Sequence, residues 1–150
     1  MRIYSVVERA RRRRGFTLVE LLVVIVVLAV LAAIVLPKFM DSSKRSKESA
    51  LKSDLKLLRN AVGLFQTDTG AYPKTLADLA ATSAPAAGLD SAGADATITA
   101  SEWHGPYLQE VPPDPVSGAA FTYGTTSPNV GKVTSSATGS GLDGTAYSTW

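Results

Sequence analysis

The chain has 150 residues, one histidine, no cysteine and a formal net charge of +2 at pH 7. This composition excludes disulfides, thiol nucleophiles and multi-histidine metal sites, and no Walker-type or dinucleotide-binding glycine motif is present, so we do not expect an enzyme. Six arginines and one acid give residues 1–15 a side-chain charge of +5 and leave −3 for the rest. The net positive charge therefore comes from residues 1–15 and does not indicate nucleic-acid binding.

The first predicted element is an apolar run at residues 16–36, directly after the basic segment. As a helix it would reach about 31 Å, which is enough to cross the hydrocarbon core of a bilayer. The arginines before the run predict that the N-terminus lies in the cytoplasm and that the run crosses the inner membrane. Everything after the run would then lie on the opposite side of that membrane from the cytoplasm. Glu20 is the one charged residue in the run, and a carboxylate at such a position is costly unless it has a partner.

A cleavage after Gly15 would supply that partner. Phe16 would then carry a new positive amine four residues before Glu20, and Glu20 of one subunit could neutralise the amine of another. Two simpler interpretations stay open. An ordinary secretory signal usually has a shorter apolar region of about 7–15 residues. A plain transmembrane anchor would fit the length but would not need Glu20.

Pro37 lies at the end of the apolar run. It lacks a backbone donor and leaves the carbonyl of Ala33 without its usual bond, which predicts a kink or local unwinding, or simply a bend at the membrane surface. The helix is predicted to continue over residues 38–67, where an apolar stripe with spacings of 4, 3, 4 and 3 should pack on the protein's own sheet. The stripe comprises Leu51, Leu55, Leu58, Val62 and Phe65, and the neighbouring Leu57 and Leu64 are predicted to widen it.

The remainder of the chain is predicted to form short elements. Gly70 and Pro73 should end the long helix, and a short helix is predicted at 75–81. Residues 82–100 have little periodicity and are predicted to be a surface loop. Short strands are predicted at 119–123, 131–134 and 146–150. The predicted fold class is α+β, with a long N-terminal helix packed on a small antiparallel β-sheet.

The sequence GFTLVE at residues 15–20, with its basic leader and apolar continuation, resembles the class III signal of type IV pilins and of type II secretion pseudopilins. The resemblance implies that a prepilin peptidase cuts between Gly15 and Phe16 and N-methylates Phe16. It also implies that Glu20 serves filament assembly, and that Pro37 marks where the helix can melt on assembly.

This resemblance divides the chain into three parts. Residues 1–15 would be a cleaved leader, residues 16–37 a transmembrane and assembly helix, and residues 38–150 a pilin-like globular domain in the periplasm or outside the cell.

Later segments resemble the major pseudopilin of type II secretion. They are residues 65–73, residues 105–118, and the last loop at 141–144 with Trp150. The resemblance implies a homopolymer that drives export of folded proteins across the outer membrane. Its partners would be minor pseudopilins and an inner-membrane assembly platform with a cytoplasmic ATPase. A type IV pilus subunit for adhesion, twitching or DNA uptake stays an alternative, as does a non-polymerising membrane-anchored binding module.

The last loop of that family binds calcium, so the resemblance raises calcium as a possible cofactor at Asp143. Calcium takes six to eight oxygen ligands, usually with several carboxylates. Asp143 is the only acid after Asp114, although Ser140 and Thr145 could assist it. A glycine-rich turn in which Asp143 bonds the local backbone is the favoured alternative.

Overall fold

The computed structural model describes residues 15–150, except for the side chain of Met40. Of the predicted leader, only Gly15 lies within the described residues. The chain forms two compact units, one up to Met40 and one from Asp41 to Trp150, the globular unit.

Helix α1 spans Leu18–Thr69, two residues beyond the predicted end. It is continuous through Pro37. The kink or local unwinding at Pro37, and the melting of the helix on assembly, stay predictions. Gly70 ends the helix as predicted, because its φ of 69° is a left-handed conformation that favours glycine. The Gly70 N–H donates to the carbonyl of Gln66.

The apolar stripe of α1 forms the centre of the core in the globular unit. Its five residues are all less than 5% exposed, whereas Leu57 and Leu64 are 48% and 57% exposed. The predicted widening of the stripe was therefore wrong, because these two leucines lie on the solvent side of the helix. Buried side chains from the rest of the unit pack around the stripe: Leu76, Leu79, Ile98, Leu108, Phe121, Val133 and Tyr147.

The predicted short helix at 75–81 is a 3₁₀ helix at Leu76–Ala80. The backbone N–H of Thr75 donates to the Asp78 carboxylate at 2.8 Å, which satisfies one of the free donors at the helix start. Leu76 and Leu79 are the buried residues of this turn.

The predicted loop at 82–100 contains a β-hairpin, so that prediction was wrong. Strand β1, Ala87–Leu89, pairs antiparallel with β2, Asp95–Thr97. The turn between them is held by Asp90, whose carboxylate accepts the N–H groups of Ala92 and Ala94. A turn held by side-chain hydrogen bonds has no hydrophobic periodicity in its sequence. The residue pattern of this segment therefore predicted a loop.

A second antiparallel pair joins β3, Thr122–Tyr123, to β4, Val133–Thr134, within two of the predicted strands. The unit therefore has two sheets of two strands rather than the single sheet predicted. The third predicted strand is instead a 3₁₀ turn at Tyr147–Thr149.

Candidate assembly site and C-terminal loop

Glu20 lies in the first turn of α1 and bonds to Thr17 in both directions. Its Oε2 accepts the N–H and the hydroxyl of Thr17, each at 2.9 Å, and the Thr17 hydroxyl accepts the N–H of Glu20 at 3.2 Å. This reciprocal arrangement is a capping box that begins the helix. The second oxygen, Oε1, accepts no hydrogen bond from residues 15–150. One oxygen of the carboxylate thus orders the start of the helix while the other can receive a further donor.

The apolar run around Glu20 is exposed along its whole length. Each large apolar side chain between residues 16 and 36 is at least 42% exposed, and Phe16 is 83% exposed. The helix is long and apolar enough to cross a membrane. A surface of this kind requires lipid or other apolar helices to cover it.

Asp143, the predicted calcium ligand, lies in a glycine turn in the last part of the chain. Its Oδ1 accepts the N–H of Thr145 at 2.9 Å and the Thr145 hydroxyl at 2.6 Å. These bonds hold the pKa of Asp143 below its usual value. Asp143 therefore makes the local bonds that the alternative to a calcium site predicts.

The oxygens near Asp143 do not fit a calcium site. Residues 15–150 contain no group of three or more histidine, aspartate or glutamate side chains that could hold one ion. The carbonyl of Thr145 accepts the N–H of Gly141, and the carbonyl of Ser140 accepts the Lys44 ammonium group. One carboxylate with engaged neighbours falls short of the six to eight oxygens that calcium takes. Calcium binding at Asp143 stays an untested prediction.

The side chains of α1 that hold this loop were not predicted from the sequence. Glu48 is only 8% exposed, and its Oε1 accepts the N–H of Leu142 and the hydroxyl of Tyr147, both at 2.9 Å. Arg59 donates to the carbonyl of Val133 at 2.8 Å and to the main-chain oxygen of Trp150. A signal was present, since Glu48 precedes Leu51 by three residues and so extends the buried stripe by one turn.

Two family models match the chain in succession. Residues 10–36 match the prokaryotic N-terminal methylation motif. Residues 38–147, most of the chain, match the type II secretion system protein G family. The chain belongs to the protein G family of type II secretion systems. The predicted family and the predicted α+β pilin-like fold class are thereby confirmed, with the single sheet corrected to two.

Relatives of the protein G family support this membership. The chain is 36% identical to the type II secretion system core protein G of Klebsiella pneumoniae over 105 residues, 70% of each chain. It is 34% identical to that of Aeromonas hydrophila over 105 residues, 70% of this chain and 68% of the relative. It is 40% identical to that of Pseudomonas aeruginosa over 65 residues, 43% of this chain and 46% of the relative. No solved structure shows a significant match.

Proposed function

We propose that this chain is a structural subunit of a type II secretion pseudopilus that drives the export of folded proteins across the outer membrane. The observation that carries the proposal is a protein G domain at 38–147 directly after a methylation motif at 10–36. The family consists of structural subunits, and the sequence has no nucleotide-binding glycine motif, so the motor would be a separate cytoplasmic ATPase.

Processing is the first step of the proposed function. A prepilin peptidase would cut between Gly15 and Phe16 and N-methylate the new amine of Phe16. Gly15 is exposed, and a Cβ atom added there would meet no atom of residues 15–150 within 4 Å. This exposure supports the proposed cleavage after Gly15.

The proposed location is the bacterial inner membrane, crossed once by the apolar part of α1. Six arginines in the leader favour a cytoplasmic N-terminus, which would put the unit from Asp41 to Trp150 in the periplasm.

Assembly would transfer the apolar helices from lipid into the centre of a homopolymer. This transfer costs little, because lipid and a bundle of apolar helices are similarly apolar, so packing and charge pairing decide it. Glu20 of one subunit would pair with the Phe16 amine of its neighbour through Oε1, while Oε2 stays in the capping box with Thr17. A buried carboxylate without such a partner is strongly destabilising. Minor pseudopilins and an inner-membrane assembly platform would be the other partners.

A deletion strain tests the proposal, with exoprotein secretion and surface pili measured in parallel. Loss of secretion with normal pili, restored by the gene on a plasmid, is the expected result. Loss of pili or twitching with normal secretion would identify a type IV pilin instead. If secretion and pili are both normal and crosslinking of the expressed protein detects no polymer, the chain is a membrane-anchored module that does not polymerise.

A further inference from the structure

The last residues of the chain are fastened to α1 by a row of charged side chains. Lys44, Glu48 and Lys52 are spaced by four residues and therefore lie on one side of the helix. The Lys44 ammonium group donates to the Ser140 carbonyl at 3.1 Å. The Lys52 ammonium group lies 4.2 Å from the centre of the Trp150 ring, a cation–π contact.

We propose that Glu48 is the anionic anchor of the segment 139–150, here called the C-terminal segment, and that this segment keeps its fold without bound calcium. The proposal concerns the globular unit alone and does not depend on the proposed function.

Glu48 joins the glycine turn at residues 141–144 to the 3₁₀ turn at Tyr147–Thr149. Leu142 lies within the glycine turn and Tyr147 begins the 3₁₀ turn, and both donate to the same oxygen of Glu48 at 2.9 Å. A carboxylate buried to this degree is stable only when such donors satisfy it. A bound cation would be coordinated by oxygen atoms of these turns, whereas the Glu48 carboxylate accepts hydrogen bonds from an N–H and an O–H group.

The carbonyl groups of the C-terminal segment point to donors within the protein rather than to a shared centre. Gly139 accepts the N–H of Tyr147, Gly141 accepts the N–H of Gly144, and Ala146 accepts the N–H of Thr149. The carbonyls of Ser140 and Thr145 are engaged as described above, and that of Tyr147 accepts the N–H of Trp150, so six carbonyls within residues 139–149 are engaged. Binding a calcium ion would break several of these bonds before gaining its ligands.

Asp143 is part of the same bonding system through Thr145. The Thr145 hydroxyl donates to Asp143 at 2.6 Å and accepts the indole N–H of Trp150 at 2.5 Å. The rings of Trp150 and Tyr147 pack edge to face, with centroids 5.2 Å apart. Asp143 thus stabilises the position of Trp150, and through it the position of Tyr147 against Glu48.

The Tyr147 hydroxyl remains a donor over the whole physiological range. Burial, together with the bond to Glu48, raises the pKa of Tyr147 to about 12. The bond to Glu48 therefore persists at neutral pH.

The test is thermal unfolding of the full chain in detergent micelles, in millimolar calcium and in excess chelator. The expected result is the same Tm in both conditions. A Tm several degrees higher in calcium would overturn the calcium-independent part of the proposal.

A mutant cycle tests Glu48 itself, using Glu48→Ala, Tyr147→Phe and the double variant. Each single variant should lower the Tm by about 5 °C or more, and Tyr147→Phe should cost much less once Glu48 is absent. Tyr123→Phe is the matched control, because its hydroxyl donates to Pro73 and not to the C-terminal segment. Its effect should be the same with and without Glu48. Additive effects of Glu48→Ala and Tyr147→Phe would refute the anchor. If Glu48→Ala does not fold, an unchanged Tm in Tyr147→Phe alone would refute it.

Discussion

The Asp114 carboxylate accepts a hydrogen bond from the Ser135 hydroxyl at 2.5 Å in the interior of the globular unit. Asp114 is 0% exposed, and it also accepts the N–H groups of Val116, Ser117 and Ser136. This buried carboxylate thereby links the turn at residues 114–118 to residues 135–136, which follow β4. Four donors satisfy it, which is the condition under which a buried charge is tolerated.

Asp114→Asn should destabilise the globular unit by about 2–4 kcal/mol, because the NH₂ group that replaces one carboxylate oxygen cannot accept hydrogen bonds from the donors that it faces. Urea unfolding measures the difference. Asp41→Asn is the control, since Asp41 is exposed and accepts no hydrogen bond within residues 15–150. Equal stability of the two variants would contradict the role assigned to Asp114.

The stability should also fall at acidic pH because of Asp114. Burial acts to raise the pKa of Asp114, but the bonds from Ser135 and three backbone N–H groups outweigh burial and lower the pKa below 3.8. In the unfolded chain the carboxyl would bind a proton at higher pH than in the folded chain. Its stabilisation is therefore fully present above the unfolded pKa and is lost as pH falls through the folded pKa. Unfolding of the native chain below about pH 4 should show a loss that Asp114→Asn lacks.

Leu58→Ala should destabilise the protein by about 2–5 kcal/mol, whereas Leu57→Ala should cost less than about 1 kcal/mol. The two leucines are adjacent on α1, but Leu58 is 0% exposed and Leu57 is 48% exposed. Chemical denaturation of both variants is the measurement. Similar losses in the two would mean that the buried face of α1 has been assigned wrongly.

Glu20→Ala should leave cleavage intact and impair filament assembly. Thr17→Ala is the matched control, because it breaks the same capping box but keeps the carboxylate. Immunoblots measure processing, and sheared-filament yield measures assembly. Assembly lost in Glu20→Ala and retained in Thr17→Ala would assign the effect to the charge. Equal loss in both would assign it to the helix start instead.

Gly15→Leu should block processing and leave the precursor in the membrane. Gly15 is exposed, and a Cβ atom added there meets no atom of residues 15–150 within 4 Å, so the fold of these residues should not be disturbed. Gly63→Ala, which also has open space around it, should be processed normally. Mature protein from Gly15→Leu would contradict the assigned cleavage site.

The helical part of the fold was predictable because α1 repeats one physical signal many times. Its buried stripe recurs every three or four residues, and the end at Gly70 requires a backbone conformation that glycine favours. Strands β1 and β2 have only three residues each, too few to show an alternating pattern. Their pairing depends on the turn at Asp90, which brings the two strands side by side. The sequence pattern does not show this pairing.

The candidate site likewise has a part that the sequence predicts and a part that it does not. Gly15, Phe16 and Glu20 are close in sequence, so their combination was visible without a fold. Glu48 and Tyr147 are 99 residues apart, and nothing local links a glutamate on a helix to a tyrosine near the last residue. The predicted role of Asp143 came from a resemblance, while its bonds to Thr145 depend on the conformation of the turn.

Some of the residues that cover α1 lie far from it along the sequence, and this distance also determines when the globular unit can fold. Glu48 bonds to residues 94 and 99 positions later, and Arg59 bonds to one 74 positions later. During synthesis α1 emerges first, and its buried stripe is not fully covered until Val133 and Tyr147 have followed. Contacts of such long range form slowly, and apolar surface exposed in the meantime favours aggregation. The core of the globular unit should therefore close only once the segment from Val133 to Tyr147 is available.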